Sequence, residues 1–138
     1  MTLRPLLLAL LLAACGPFPR DPEATLDRVR ASHVIRVGIV EGSAAWKPLL
    51  ARVAAATGAR PHMHPGAIEP LLLRLEHGEL DLVVGGRFAT DTPWITRVTL
   101  GPVLRRDAKI NDHMVARNGE NAWVMLIERE ARALGHET

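Results

Sequence analysis

Between residues 34 and 84 the chain alternates apolar strand-like runs with helix-like stripes, and that order leaves few architectures open. VIRVGIV (34–40) is β-branched and mostly apolar, as an interior strand should be. Glu41-Gly42-Ser43 breaks it. Over 45–57, Leu49, Leu50, Val53 and Ala54 recur at helical spacing, and Gly58 closes the run. Arg60 to His64 is a short strand, after which Pro65-Gly66 turns the chain. Ile68, Leu71, Leu72 and Leu75 then follow i, i+3, i+4, i+7 up to Gly78, and Leu80 to Val84 forms a third strand. Strand, helix, strand, helix, strand with short links requires right-handed crossovers, and so predicts an α/β fold on a parallel sheet. Ligands of such sheets collect beyond the carboxyl ends of the strands, where strand order reverses. The first and third strands end in Glu41-Gly42-Ser43 and Gly85-Gly86-Arg87, so that edge is the expected site.

Upstream of this pattern the chain reads as a targeting segment. Arg4 precedes an unbroken apolar run, Leu6 to Leu12, which falls short of the roughly 20 residues that a spanning helix needs. The run ends in Leu12-Ala13-Ala14-Cys15, which resembles a bacterial lipobox and implies cleavage before Cys15 and its acylation. Cys15 is the single cysteine of the chain, so no intrachain disulfide is available to explain it. The expected organisation is a lipoprotein signal peptide (1–14), a lipidated tether (15–20) with Gly16-Pro17-Phe18-Pro19, and one folded domain (21–138). The mature protein would sit on the outer side of the bacterial cytoplasmic boundary, in the periplasm or its equivalent, held to a membrane by lipid.

Asp21-Pro22 suits a helix start, with Asp21 as N-cap, and Leu26 and Val29 mark the buried side of that helix. Arg97 to Leu100 predicts a fourth short strand, residues 105–112 an irregular charged segment, and Met114-Val115 another short strand. Asn118 or Asn121 would cap a last helix carrying Trp123, Leu126, Ile127 and Leu134 on one face.

Several chemistries are missing. A formal net charge of +2, scattered arginines and no tyrosine argue against a nucleic-acid surface. Gly85-Gly86 continues into neither GxGxxG nor GK[ST], and no GxSxG elbow occurs, so neither a nucleotide cradle nor a serine hydrolase is expected. His62 and His64 would share one face of a strand, but no carboxylate or cysteine ligand lies close in sequence; they read as edge histidines, and no metal or other cofactor is expected. Glu79 and Asp81 read as turn and solvation residues at the amino end of the third strand. What remains is a held solute without catalysis. Gly85 and Gly86 would let it reach the backbone, and Ser43 and Thr90 would add hydroxyls. Glu41 lies in the same loop as Ser43, Arg87 would meet an anionic group, and Trp46 and Trp94 would wall the pocket.

Three segments, TLDRVRASHVIRVGIV (25–40), IEPLLLRLEHGELDLVVGG (68–86) and TPWITRVTLGPV (92–103), together resemble the extracellular solute-binding proteins of ABC importers. The resemblance is to the type II periplasmic-binding fold of the polar amino-acid group, and VARNGENAWVMLIERE (115–130) is similar to its closing segment. It implies a three-layer α/β lobe, a small polar solute, and an ABC permease or other membrane transporter as partner. Where the family inserts a second lobe, between residues 104 and 113, this chain has little, so a single lobe is expected. The arginine that grips the ligand carboxylate in that group corresponds to Pro93, so amino-acid specificity does not carry over. A regulatory lipoprotein that docks on a transporter is the alternative reading of the same lobe.

Overall fold

The computed structural model describes residues 21–136. Its centre is β1 (Val34–Ile39), which pairs in parallel with β2 (Arg60–Pro65) on one side and β3 (Leu82–Val84) on the other. α1 (Thr25–Ser32) precedes β1, α2 (Lys47–Thr57) links β1 to β2, and α3 (Ile68–Glu76) links β2 to β3. β4 (Arg87–Ala89) follows at once, then a 3-10 turn (Pro93–Thr96), the hairpin β5 (Val98–Arg106) and β6 (Ile110–Arg117), and α4 (Asn121–His136). The sheet order is β2-β1-β3-β6-β4, with β5 on the other side of β6, and every pairing of β6 is antiparallel.

Because β1 steps to β2 on one side and the chain then crosses back to β3 on the other, α2 and α3 lie on opposite faces. Two cores follow. One packs Val29, Trp46, Leu49, Val53, Trp123 and Ile127 against Val37, Leu82 and Met114 of the sheet. The other packs Leu71, Leu72 and Leu75 of α3 against Val83, Phe88 and Val115. The three layers that the resemblance implies are therefore present.

The free edge at β2 is protected by its own sequence. Arg60 N–H donates to His33 O and Gly66 N–H to Ile39 O, so with a period of two the even-numbered amides face β1. Pro61, Met63 and Pro65 face outward, and two of those three have no donor to offer another strand.

Several local expectations differ from what is observed. β5 and β6 are long strands rather than short ones, because a bulged register between Leu100 and Val103 absorbs Gly101-Pro102 without ending the pairing. Residues 105–112 belong mostly to this hairpin, and Arg87 to Ala89 form a strand against it instead of a loop. Asp21 does not cap α1; its carboxylate accepts the Ala122 amide of α4 at 2.7 Å. α1 is served in return by Glu120, fully buried, whose two oxygens accept the Glu23 and Thr25 amides at 2.8 Å each. The two helix starts thus cap one another across the chain. Asn118 bonds Thr99 and Thr96 rather than a helix end.

Asp81 is the largest correction. It is buried, not solvated: its carboxylate accepts the Arg36 amide at 2.7 Å and the Arg36 guanidinium at 2.8 Å, and it also pairs with Arg28. Its own amide donates to Arg36 O and its carbonyl accepts Trp123 Nε1 at 2.9 Å. Asp81→Ala should lower unfolding free energy by about 2–4 kcal/mol, since it strands the Arg36 amide and unpairs two guanidinium groups. Urea denaturation checks this; a loss below about 1 kcal/mol would mean the arginines and water replace the carboxylate at little cost.

Candidate functional site

Parallel pairing of β2, β1 and β3 brings three loops to one edge of the sheet. Val40 N–H donates to Val84 O at 3.0 Å, carrying the β1–β3 ladder one step past the strands. The chains then part at Glu41 and Gly85. Gly85 has φ +81, and a β-carbon there would run into the Val40 carbonyl oxygen. Glycine at 85 is therefore required twice over, by the left-handed backbone and by the close approach of the β1 loop. Gly42, with φ +146, faces Gly85 O across the same gap.

Beside this junction lies an open cleft of about 510 Å³, lined by Val40, Glu41, Pro65, Gly66 and Ala67. Pro65, Gly66 and Ala67 were absent from the sequence-level site. They belong to it because β2 is parallel to β1, so its carboxyl-end loop must open on the same edge. Ala67 is also the N-cap of α3, and no side chain caps that helix; Pro70 has no N–H and the Leu71 amide bonds Ala67 O, so the Ile68 and Glu69 amides are the first-turn donors next to the cleft lining. Glu41, exposed, supplies an acceptor opposite. The cleft thus sets the Glu41 carboxylate beside the start of α3.

The remaining expected residues divide. Ser43 sits in the β1 loop, where its hydroxyl accepts the Ala45 amide at 3.3 Å. Gly86 is buried, and a β-carbon on it would point at Ile68 Cδ1 (2.6 Å) and the Phe88 ring (3.1 Å), into the α3 core rather than into the cleft. Trp46 packs within the α2 core at 8 % exposure and so serves as core rather than wall. Arg87 is held by Asp107 at 3.1 Å and Asp112 at 3.5 Å, two acids of the hairpin. Thr90 donates its amide to Lys109 O beyond β4. Trp94 lies against the α3 core with the Arg97 guanidinium 4.5 Å over its ring. Glu41, Ser43, Gly85 and Gly86 are therefore brought to one edge, while Arg87, Thr90 and Trp94 follow β4 away from it. Cys15 lies outside the described residues.

His62 and His64 do share a face, their rings 4.7 Å apart. Burial, then the charges of His62, Arg74 and Arg36, hold His64 below the usual histidine range. Among the described residues no group of three histidines, cysteines or acids is placed to hold a metal ion.

Solved structures with the same arrangement are solute-binding domains. Domain 1 of TmArgBP in its arginine-bound form, as a point mutant, aligns over 80 % of this chain and 98 % of its own with a TM-score of 0.69 at 13 % identity. Its unmutated arginine-bound form covers 78 % and 98 % with a TM-score of 0.65 at 11 % identity. An ancestral cationic amino acid solute-binding protein covers 82 % and 94 %, with a TM-score of 0.68 at 8 % identity. The chain has the fold of one solute-binding lobe. No protein-family model and no curated protein matches its sequence.

On this lobe the two adjacent glycines have different duties, and substitution separates them. Gly85→Ala should cost about 2 kcal/mol or more, because both its φ and its neighbour oppose a side chain. Gly86→Ala should cost less, since its φ is ordinary and the end of the Ile68 side chain can yield. Parallel denaturation curves decide; equal losses would remove the argument from positive φ.

Proposed function

We propose that this protein is a lipid-anchored solute-binding lobe of an ABC-type transport system, holding a small polar solute at the carboxyl ends of β1 and β2 without transforming it. The observation that carries the reading is the open cleft of about 510 Å³ at the parallel-strand edge, lined by Glu41 and by Ala67, the N-cap of α3 that carries no capping side chain. Arginine-bound domain 1 of TmArgBP supports it, because there a single lobe of this fold holds its ligand. Pro93 stands where the resemblance puts the carboxylate-gripping arginine of the amino-acid group, and the Ile68 and Glu69 amides at the start of α3 would serve in its place. Acylated Cys15 would keep the lobe at the membrane, beside a permease.

A lone lobe leaves much of its ligand in water, whereas tight pockets bury most of it. Affinity should therefore lie roughly in the micromolar to millimolar range. Calorimetric titration with arginine and other small polar solutes tests this, with Ala67→Trp as the partner variant. Ala67 is exposed at the cleft wall, so an indole there fills the cleft without entering a core. The reading predicts saturable heat in the parent, none in Ala67→Trp, and equal thermal midpoints without ligand. Nanomolar binding by a monomer would contradict the one-lobe argument. Co-purification with a membrane transporter, with no solute bound at all, would favour the docking alternative.

A further inference from the structure

The α1–α4 surface is the part of the molecule that neither the cores nor the cleft explains. A groove of about 360 Å³ runs between these helices, floored by Leu26, Ala122 and Leu126. Met125 stands at its lip, 69 % exposed. Its rim is Arg30, Arg129 and Arg132, with no acid in the lining. Along α4, residues 122, 125, 126, 129 and 132 form one stripe at i, i+3, i+4, i+7 and i+10, so apolar and basic groups share a single outward face. Arg129 touches Glu130 at 2.9 Å and Arg132 lies 3.9 Å from Glu128, but both arginines are more than half exposed and such surface pairs exchange readily with other anions. No ion pair engages Arg30 among the described residues.

The place where the chain enters supplies the partner. Asp21 is bonded to the Ala122 amide, at the groove's end. Cys15 lies six residues earlier, and six residues reach about 20 Å at full extension. An acyl chain on Cys15 would therefore keep Asp21, at the end of this groove, within about 20 Å of the bilayer. We infer that the α1–α4 groove docks on an anionic phospholipid surface, Met125 entering the headgroup boundary and the three arginines meeting lipid phosphates. Exposed apolar groups flanked by arginines are what such a surface takes up. None of Val40, Glu41, Pro65, Gly66 or Ala67 lines this groove, so docking leaves the solute cleft open at the end of the sheet.

The geometry rests on the anchor proposed above, and the test separates the two. The full chain carrying Cys15→Ser, which cannot be acylated, is mixed with phosphatidylcholine vesicles with or without phosphatidylglycerol and sedimented. Insertion of the apolar run 6–12 would not depend on α4, so differences between variants report the groove. Each arginine near an anionic surface contributes roughly fivefold to binding, so Arg129→Ala/Arg132→Ala should lose roughly twenty-fivefold on phosphatidylglycerol vesicles. Met125→Asp should weaken binding too, while Arg105→Ala/Arg106→Ala, on the β5–β6 hairpin, should match the parent. Variants of α4 that bind like the parent, or hairpin variants that lose as much, would overturn the inference. The mass of the protein extracted from the cell envelope reads the anchor separately. A missing acyl mass with α4-dependent vesicle binding would remove the anchor and leave the docking face standing.

Discussion

A buried carboxylate at the amino end of β3 fixes the geometry of this molecule. Asp81 ties its strand to β1 through the Arg36 backbone and guanidinium, to α1 through Arg28, and to α4 through the Trp123 indole. An ion pair of this kind adds little net stability over an apolar replacement, since desolvating the charges offsets their attraction. Its value lies in direction. With Asp81 bonded to both the N–H and the C=O of Arg36, the β1–β3 pairing has one register, and a slip by one residue would turn every side chain to the wrong face. The site at the other end of the strands inherits that register: Gly85 meets Val40, and Gly42 faces Gly85, because the ladder below them cannot shift.

The cleft follows from the same arrangement with no further device. Parallel strands end together, their loops crowd one edge, and glycine is the residue that survives where two loops pass at backbone distance. α3 then presents an uncapped start to that edge because Ala67, a residue without a capping side chain, occupies its N-cap. At the other starts, Asp21 and Glu120 exchange partners between α1 and α4, while α2, like α3, begins with no side-chain cap. What sets the α3 start apart is its place, with Ala67 in the lining of the cleft.

Much of this was legible in the sequence because its signals are local. The 3.6-residue stripes of α2 and α3, the β-branched run of β1 and the glycine stops each depend on neighbouring residues alone. What was not legible depends on distance along the chain. The arginine partners of Asp81 lie 45 and 53 residues away, and Glu120 caps amides 95 and 97 residues away. No spacing rule reaches that far. The expected fourth strand stops at Leu100, since a bulge that tolerates Gly101-Pro102 is a property of the β5–β6 pair and not of either strand. Of the residues expected at the site, the two glycine loops lie together at the carboxyl edge, and Pro65 to Ala67 line the cleft beside them. Trp46 went instead to the core, because a helix that starts at Lys47 turns the preceding indole inward. Arg87 went to β4, where two acids of the hairpin were waiting that the sequence had shown merely as a charged segment.

The central claim is that one edge of this lobe, and no other part of it, receives a polar solute. Amide chemical-shift mapping tests it most directly: the isotopically labelled protein is titrated with arginine and a set of small polar solutes. The account predicts that the perturbed amides cluster at Glu41, Gly42, Gly66, Ala67 and Gly85, around the cleft, with those of the α3 first turn among the largest. Shifts concentrated instead along β4, at Arg87 to Thr90, or spread over the outer face of α4, would place the ligand elsewhere and contradict it.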